Sequence, residues 1–203
     1  MECAAPTRPS SNDSCAGSGC PRRQRCCVGR CTMTAPPTPD PDLRATTAAL
    51  LATGARFVVI GGFAVIANDY VRATEDVDIL IAEEGPDDDA LDRALLSVGA
   101  KWANGRTFGA GGLAGREHTR LFTRVGIVDL LREGVAPLDL ATVSAGALTG
   151  DLGDGPFKIA GLESVVAFKR LAGRPRDRND LLELEQRHGP LPIVSVPGLD
   201  DRT

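Results

Sequence analysis

Apolar and polar positions follow two periods along this chain, and the switches between them predict its elements. Leu43 to Thr53 carries the helical spacing, with Leu43, Thr47, Leu50 and Leu51 on one face and Gly54 placed to end the helix. Phe57 to Ile60 is an unbroken apolar, β-branched run that predicts a buried strand. The pair Gly61-Gly62 then makes a tight turn, and Phe63 to Tyr70 predicts a short helix. Asp76 to Ile81 alternates with a period of two, sending Asp76 and Asp78 to one face and Val77 and Ile79 to the other. Helical spacing returns at Leu91, Ala94, Leu95 and Val98, with Asp87 or Asp88 as the cap. Glu117 to Thr123 alternates His118, Arg120 and Phe122 against Thr119, Leu121 and Thr123, and Gly126 to Leu131 is an apolar strand holding one acid. Pro137 to Ala145 predicts a short helix with Pro137 in its first turn, and Phe157 to Ala160 a final strand. Leu162 to Ala172 is a helix with the stripe Leu162, Val165, Val166 and Lys169, ended at Gly173. A last helix begins at Asp177 and bears Leu181, Leu182 and Leu184. Strands and helices so interleaved predict an α/β (α+β) domain: a small mixed sheet, flanking helices and a C-terminal helical pair.

Composition divides the chain. Residues 1–34 form a Cys/Arg-rich tail. Residues 35–42 form a stiff linker containing Pro36, Pro37, Pro39 and Pro41. Residues 43–203 form the folded domain, its C-terminal helical part at about 161–190. All six cysteines fall within the first 32 residues, beside five arginines and two acids, whereas the remainder carries a net charge of −7. Three readings of the tail stay open: a dispensable stretch before a true start at Met33, a disordered tail, or a zinc or disulfide module built on spacings such as Cys15-x₄-Cys20 and Cys27-x₃-Cys31. No run approaches the eighteen apolar residues of a membrane span and Met1-Glu2-Cys3 opens no signal peptide, so the expected location is cytoplasmic, away from membranes.

The candidate chemistry lies in the centre. Two carboxylates two residues apart on a strand stand about 7 Å apart, and like charges that close raise each other's pKa unless a cation sits between them. Mg²⁺ is the expected cation, sharing carboxylates with the oxygens of a substrate phosphate. A glycine turn ahead of a helix suits a triphosphate, so this order of elements predicts a site for metal-bound nucleotide. The plainer alternative is that Asp76 and Asp78 face water. Asp129, alone in an apolar strand, is costly to bury unless it is paired or binds metal. Lys169 breaks an apolar stripe, pointing into a cleft or snorkelling out at the helix's last turn. Asp177 and Asp180 can be explained as a helix cap, although Asp180 also shares a face with Leu184. Lys169, Arg170, Arg174, Arg176 and Arg178 place five positive charges within ten residues, which must meet something anionic. The acids Asp87 to Asp89 read as a helix start rather than metal ligands. The glycine-rich stretch Asn104 to Gly115 reads as a mobile loop beside the site, and His118 as a sheet residue. With eight aromatic residues and no stacking platform, sequence-specific RNA reading is not supported.

Gly61-Gly62, thirteen residues, then Asp76-Val77-Asp78-Ile79 resembles the signature of the DNA polymerase β-like nucleotidyltransferase superfamily. The fuller Arg72-x-Thr74-x-Asp76-x-Asp78 is similar to its AbiE-type (MenT-like) toxin branch, whose later motifs are a third acid, a lysine and an Asp-x-x-Asp pair. The resemblance covers roughly residues 43–188. It implies a polymerase-β-like fold and transfer of a nucleoside monophosphate from an NTP to an RNA 3′ end such as tRNA, by the toxin of a toxin–antitoxin pair with a cognate antitoxin protein. It implies Asp76, Asp78 and Asp129 as ligands of two Mg²⁺ ions, and Gly61, Gly62, Arg72, Thr74 and Lys169 as nucleotide-binding residues. Lys169 would offset the charge of the leaving pyrophosphate, and Asp180 would join the catalytic set. Relatives in that branch are silenced at a hydroxyl equivalent to that of Thr74. Two other activities stay open: nucleotidylation of a protein, as in the minimal nucleotidyltransferase antitoxins, and non-catalytic nucleotide sensing.

Overall fold

Asp42 starts the first helix as its pattern requires, its side chain accepting a hydrogen bond from the Ala45 amide at 2.9 Å. That helix, α1 (Leu43–Thr53), stops at Gly54, which adopts the left-handed conformation with φ 72°. The computed structural model describes residues 38–83, 85 and 87–197; the readings for residues 1–34 and the start of the linker lie outside them. Residues 38–41 form neither helix nor strand.

After α1 come β1 (Val58–Val59), α2 (Gly61–Ala67), β2 (Asp76–Ile81), α3 (Asp88–Ser97), β3 (His118–Thr123) and β4 (Gly126–Arg132). The chain continues through α4 (Leu140–Ala145), β5 (Leu148–Asp151), β6 (Pro156–Ile159), α5 (Leu162–Ala172) and α6 (Pro175–His188). The strands form one mixed sheet in the order β3-β4-β2-β1-β6-β5, parallel at β2/β4 and β1/β6 and antiparallel elsewhere. With α5 and α6 as the C-terminal pair, this is the expected fold class.

The period of two sorts the sheet's faces. Ile79, Val128 and Leu130 pack under Ala49 and Leu50 of α1 and Ala94 and Leu95 of α3. Asp76, Asp78 and Asp129 point the opposite way, beneath α5. Burying an aliphatic side chain is worth about 1.5–3 kcal/mol, so the Val77, Ile79, Val128 and Leu130 cluster sets the register. Once it is set, the acids have no choice of face.

Several boundaries differ from the pattern-based expectation. The short helix begins at Gly61, where the Gly62 amide donates to Asp78 Oδ2 at 3.4 Å, and ends at Ala67. Asp87 occupies the N-cap position of α3 without capping it, since its carboxylate binds Arg56 at 2.8 Å; Asp88 pairs with Arg132 at 2.7 Å. Helix α4 starts at Leu140 rather than Pro137, because Asp139 accepts from the Thr142 amide and fixes the first turn there. Strand β5 has no counterpart in the pattern: its residues are largely exposed and carry no alternation, and pairing with β6 makes it a strand. Helix α6 begins at Pro175, with Asp177 at the third position accepting from the Arg174 amide. Leu182 lies exposed on it.

The glycine-rich stretch is no loose flap. Phe108 and Leu113 are buried in the core, and the Gly111 amide donates to the buried Asp92 carboxylate. None of its residues lines the cleft described below. Two large apolar side chains outweigh the freedom of five glycines. Among the described residues no helix is long and apolar enough to cross a membrane.

Candidate active site

Three neighbouring strands bring three charged residues level. Asp78 pairs in register with Asp129 across β2 and β4, and Asp129 pairs with Arg120 across β4 and β3. Asp76 lies one pleat earlier on the same face. Each of Asp76, Asp78 and Asp129 offers a carboxylate oxygen, and these oxygens lie within 4.8 Å of one another. Among the described residues no other group of acids, histidines or cysteines meets that test.

Burial makes the group costly as it stands. Asp129 is 8% exposed, and its Oδ1 has no hydrogen-bond partner among the described residues; His118 Nε2 stands 3.7 Å away. Burial pushes the Asp129 pKa up to about 6, against the pull of Arg120, with the Asp78 and Asp76 charges adding to the rise. Asp78 is raised for the same leading reason, burial, and then by Asp76. Hard oxygen ligands, an orphaned buried lone pair and mutual repulsion are what a divalent cation would relieve, so these residues fit a hard divalent ion.

A pH experiment separates the two states of this group. The folded-state pKa of Asp129 lies above its unfolded value, so without metal its contribution to stability should grow as pH falls through about 6 toward the ordinary carboxylate range. A divalent ion needs the ionised carboxylate and must compete with that proton. A rise in Tm on adding Mg²⁺ is therefore expected at pH 7.5 and should fade as pH falls through about 6. A Mg²⁺ effect of equal size at pH 5 and pH 7.5 would show that Asp129 is not a ligand.

The glycines sit where no side chain fits. A Cβ on Gly61, whose φ is 60°, would lie 1.9 Å from Asp78 Oδ2, and one on Gly62 would lie 2.3 Å from Thr74 Oγ1. The backbone thus runs directly against the carboxylates and the Thr74 hydroxyl, which donates to the Asp76 carbonyl at 3.3 Å. The Gly62 amide at this turn is used internally, donating to Asp78 Oδ2.

Two joined chambers open on the triad. The polar one, about 170 Å³, is lined by Gly62, Thr74 and the cations Arg72, Arg120, Lys169, Arg174 and Arg176. The other, about 380 Å³, shares Asp78, Asp129, Arg120 and Lys169 but adds an apolar wall of Leu131, Val165 and Phe168.

Lys169 does not snorkel. It is 6% exposed, and its Nζ is held by Asp177 at 2.9 Å and Asp180 at 2.8 Å. Both carboxylates are 1% exposed. Burial alone would raise the pKa of Asp177, but hydrogen bonds from Arg174 and Lys169 outweigh it and the net shift is downward. Asp180 also takes Arg72 Nε at 2.8 Å, so the two helices and the segment before β2 meet in one buried ionic network. Asp180 itself lines neither chamber and touches them through Arg72 and Lys169. Arg176 donates to the Ala73 carbonyl at 2.9 Å, and Arg170 to the Pro192 carbonyl at 2.7 Å, so the basic cluster does not act as one face.

The cleft thus gathers Asp76, Asp78, Asp129, Gly61, Gly62, Arg72, Thr74 and Lys169, and leaves Asp180 behind it. Arg120 is the member that sequence reasoning passes over. Its only signal is the alternation that puts it on the His118 face of a strand, with nothing to say which strand lies alongside.

No family model matches this chain, and no curated protein sequence matches it. Among solved structures, it resembles an antigenic nucleotidyltransferase-like protein from Paracoccidioides brasiliensis at 18% identity, over 72% of this chain and 76% of that one, with a TM-score of 0.45. It also resembles ANT(2″)-Ia, solved in complex with adenylyl-2″-tobramycin, at 12% identity, over 71% of this chain and 86% of that one, with a TM-score of 0.47.

Proposed function

We propose that this chain is a nucleotidyltransferase that moves a nucleoside monophosphate from an NTP to the 3′ hydroxyl of an RNA, tRNA being the expected acceptor. In this reading it is the toxin of a toxin–antitoxin pair. The observation that carries the reading is the carboxylate triad set between a cation-lined polar chamber and an apolar-walled one. Two magnesium ions on Asp76, Asp78 and Asp129 would supply electrophilic activation of the phosphates and a lowered pKa for the attacking hydroxyl.

The protein's own groups do the rest. Arg72, Lys169, Arg174 and Arg176 face the polar chamber, where their charge suits the triphosphate and then the departing pyrophosphate. Gly61 and Gly62 let the backbone pass directly against Asp78 and Thr74, which keeps both side chains at the edge of the polar chamber. Asp129 lines the apolar-walled chamber, where Leu131 and Phe168 offer a surface for a nucleoside at the acceptor end. The acceptor hydroxyl gives up its proton to water, its oxygen bonds to the α-phosphorus, the bond from that phosphorus to the bridging oxygen breaks, and pyrophosphate leaves with the electron pair. Asp180 acts as a positioning residue, through Arg72 and Lys169.

The test is incubation of the full chain with each labelled NTP, Mg²⁺, and total RNA or total protein. Label in RNA is the expected result. Label in protein would replace this reading by protein nucleotidylation, and label in neither would overturn transfer altogether.

Thr74 offers a finer check, since its hydroxyl stands in the polar chamber beside Gly62. A negative charge there repels the triphosphate. Thr74→Glu should lower transfer on the order of a hundredfold, while Thr74→Gln, of equal length and uncharged, should lose far less. Equal rates for the two variants would remove charge as the cause.

A further inference from the structure

Arg120 reaches across the sheet and lays a guanidinium on the carboxylate group. Its Nη2 donates to Asp76 Oδ2 at 2.9 Å, and its Nη1 lies 3.4 Å from Asp129 Oδ2. No other arginine or lysine forms an ion pair with Asp76 or Asp129 among the described residues; Asp78 receives only the Gly62 amide. The triad therefore carries up to three negative charges against one guanidinium in direct contact, with the His118 imidazole 3.7 Å from Asp129 as the only other basic side chain paired with it among the described residues.

The geometry of that contact matters. Arg120 takes one oxygen from each of two carboxylates, and those carboxylates belong to the set whose oxygens converge within 4.8 Å. A cation held by this group and this guanidinium would compete for the same two side chains, Asp76 and Asp129. Arg120 is also far less confined than the carboxylate it touches: its side chain is 45% exposed, whereas that of Asp129 is 10% exposed. It lines both chambers, so a side chain released from the carboxylates has somewhere to go without unpacking the core.

We propose that Arg120 is the counter-cation of the triad, competing with a divalent ion for Asp76 and Asp129, and that ion binding displaces its guanidinium into the adjoining chamber. The proposal rests on the nucleotidyltransferase reading only in supposing that the triad takes a divalent ion.

Mn²⁺ binding to the full chain without nucleotide, read by the loss of free Mn²⁺ electron paramagnetic resonance signal, tests it without any turnover. Arg120→Met removes the competing contact and a positive charge, and should tighten Mn²⁺ binding by about tenfold or more, the scale of one charge-assisted contact. Arg120→Lys keeps the charge but loses the fork that spans two carboxylates, and should fall between Arg120→Met and the wild type. Unchanged or weaker binding in Arg120→Met would overturn the proposal and make Arg120 a support that holds the carboxylates ready. Should Arg120→Met fail to fold, Arg120→Lys decides by the same rule. Absence of Mn²⁺ binding in every form, wild type included, would overturn the metal centre itself, a result distinct from binding that ignores Arg120.

Discussion

Asp78→Asn is expected to cut nucleotidyl transfer by about a thousandfold or more while leaving the fold as stable as before, or slightly more stable. Asparagine keeps the size of the side chain, and its Oδ1 can still accept the Gly62 amide that starts α2. What it loses is a charge that the apo protein holds at a cost, since burial and the neighbouring Asp76 both raise the Asp78 pKa. Folding and chemistry should therefore part company. Thermal melts in metal-free buffer and single-turnover transfer of labelled nucleotide check the two halves separately. A steep fall in Tm would mean that Asp78 serves the fold, and transfer within about tenfold of wild type would mean that the triad is not the reaction centre.

Lys169→Met should behave in the opposite way, losing stability first. The Nζ charge is buried between Asp177 and Asp180, so methionine leaves two interior carboxylates short of a partner. Each keeps one arginine, Arg174 for Asp177 and Arg72 for Asp180, which places the loss at the low end of what breaking a buried pair costs. A fall of about 3 kcal/mol is expected, roughly 10 °C in Tm for a domain of this size. Urea and thermal melts of the purified variant measure it. Transfer should fall as well, because Arg72 and the start of α6 are held by the same network. An unchanged melting curve with transfer lost would show that the ammonium acts on the substrate and not on the fold. Comparison with Asp180→Asn, which removes the partner shared by Lys169 and Arg72, tells whether the network behaves as one unit.

Much of this site is legible in the sequence. The period of two in Asp76 to Ile81 puts two carboxylates on one face, and the Gly61-Gly62 break places a helix directly before them. Gly54 and Gly173 end α1 and α5 where the helical spacing runs out, each in the left-handed conformation. Lys169 stands out by interrupting an apolar stripe, and Asp180 by sharing a helical face with Leu184. These are effects of neighbours within about four residues, and the chain's own geometry settles them wherever the segment lies.

Pairing between distant segments is not legible that way. β5 is a strand only because β6 lies beside it, its exposed residues carrying no alternation of their own. The start of α2, the role of Asp87 and the anchoring of the glycine-rich stretch each turn on a partner elsewhere in the chain: Asp78, Arg56 and Asp92. The same holds for the charges. By itself the sequence determined which faces bear Asp78, Asp129, Arg120 and Lys169. Only the tertiary structure decided that Asp78 and Asp129 stand level, that Arg120 closes over Asp76 and Asp129, and that Lys169 meets two buried aspartates. The physical reason is that a charge's energy depends on every group and every water within several ångströms, and which groups those are follows from strand order and helix packing rather than from sequence spacing.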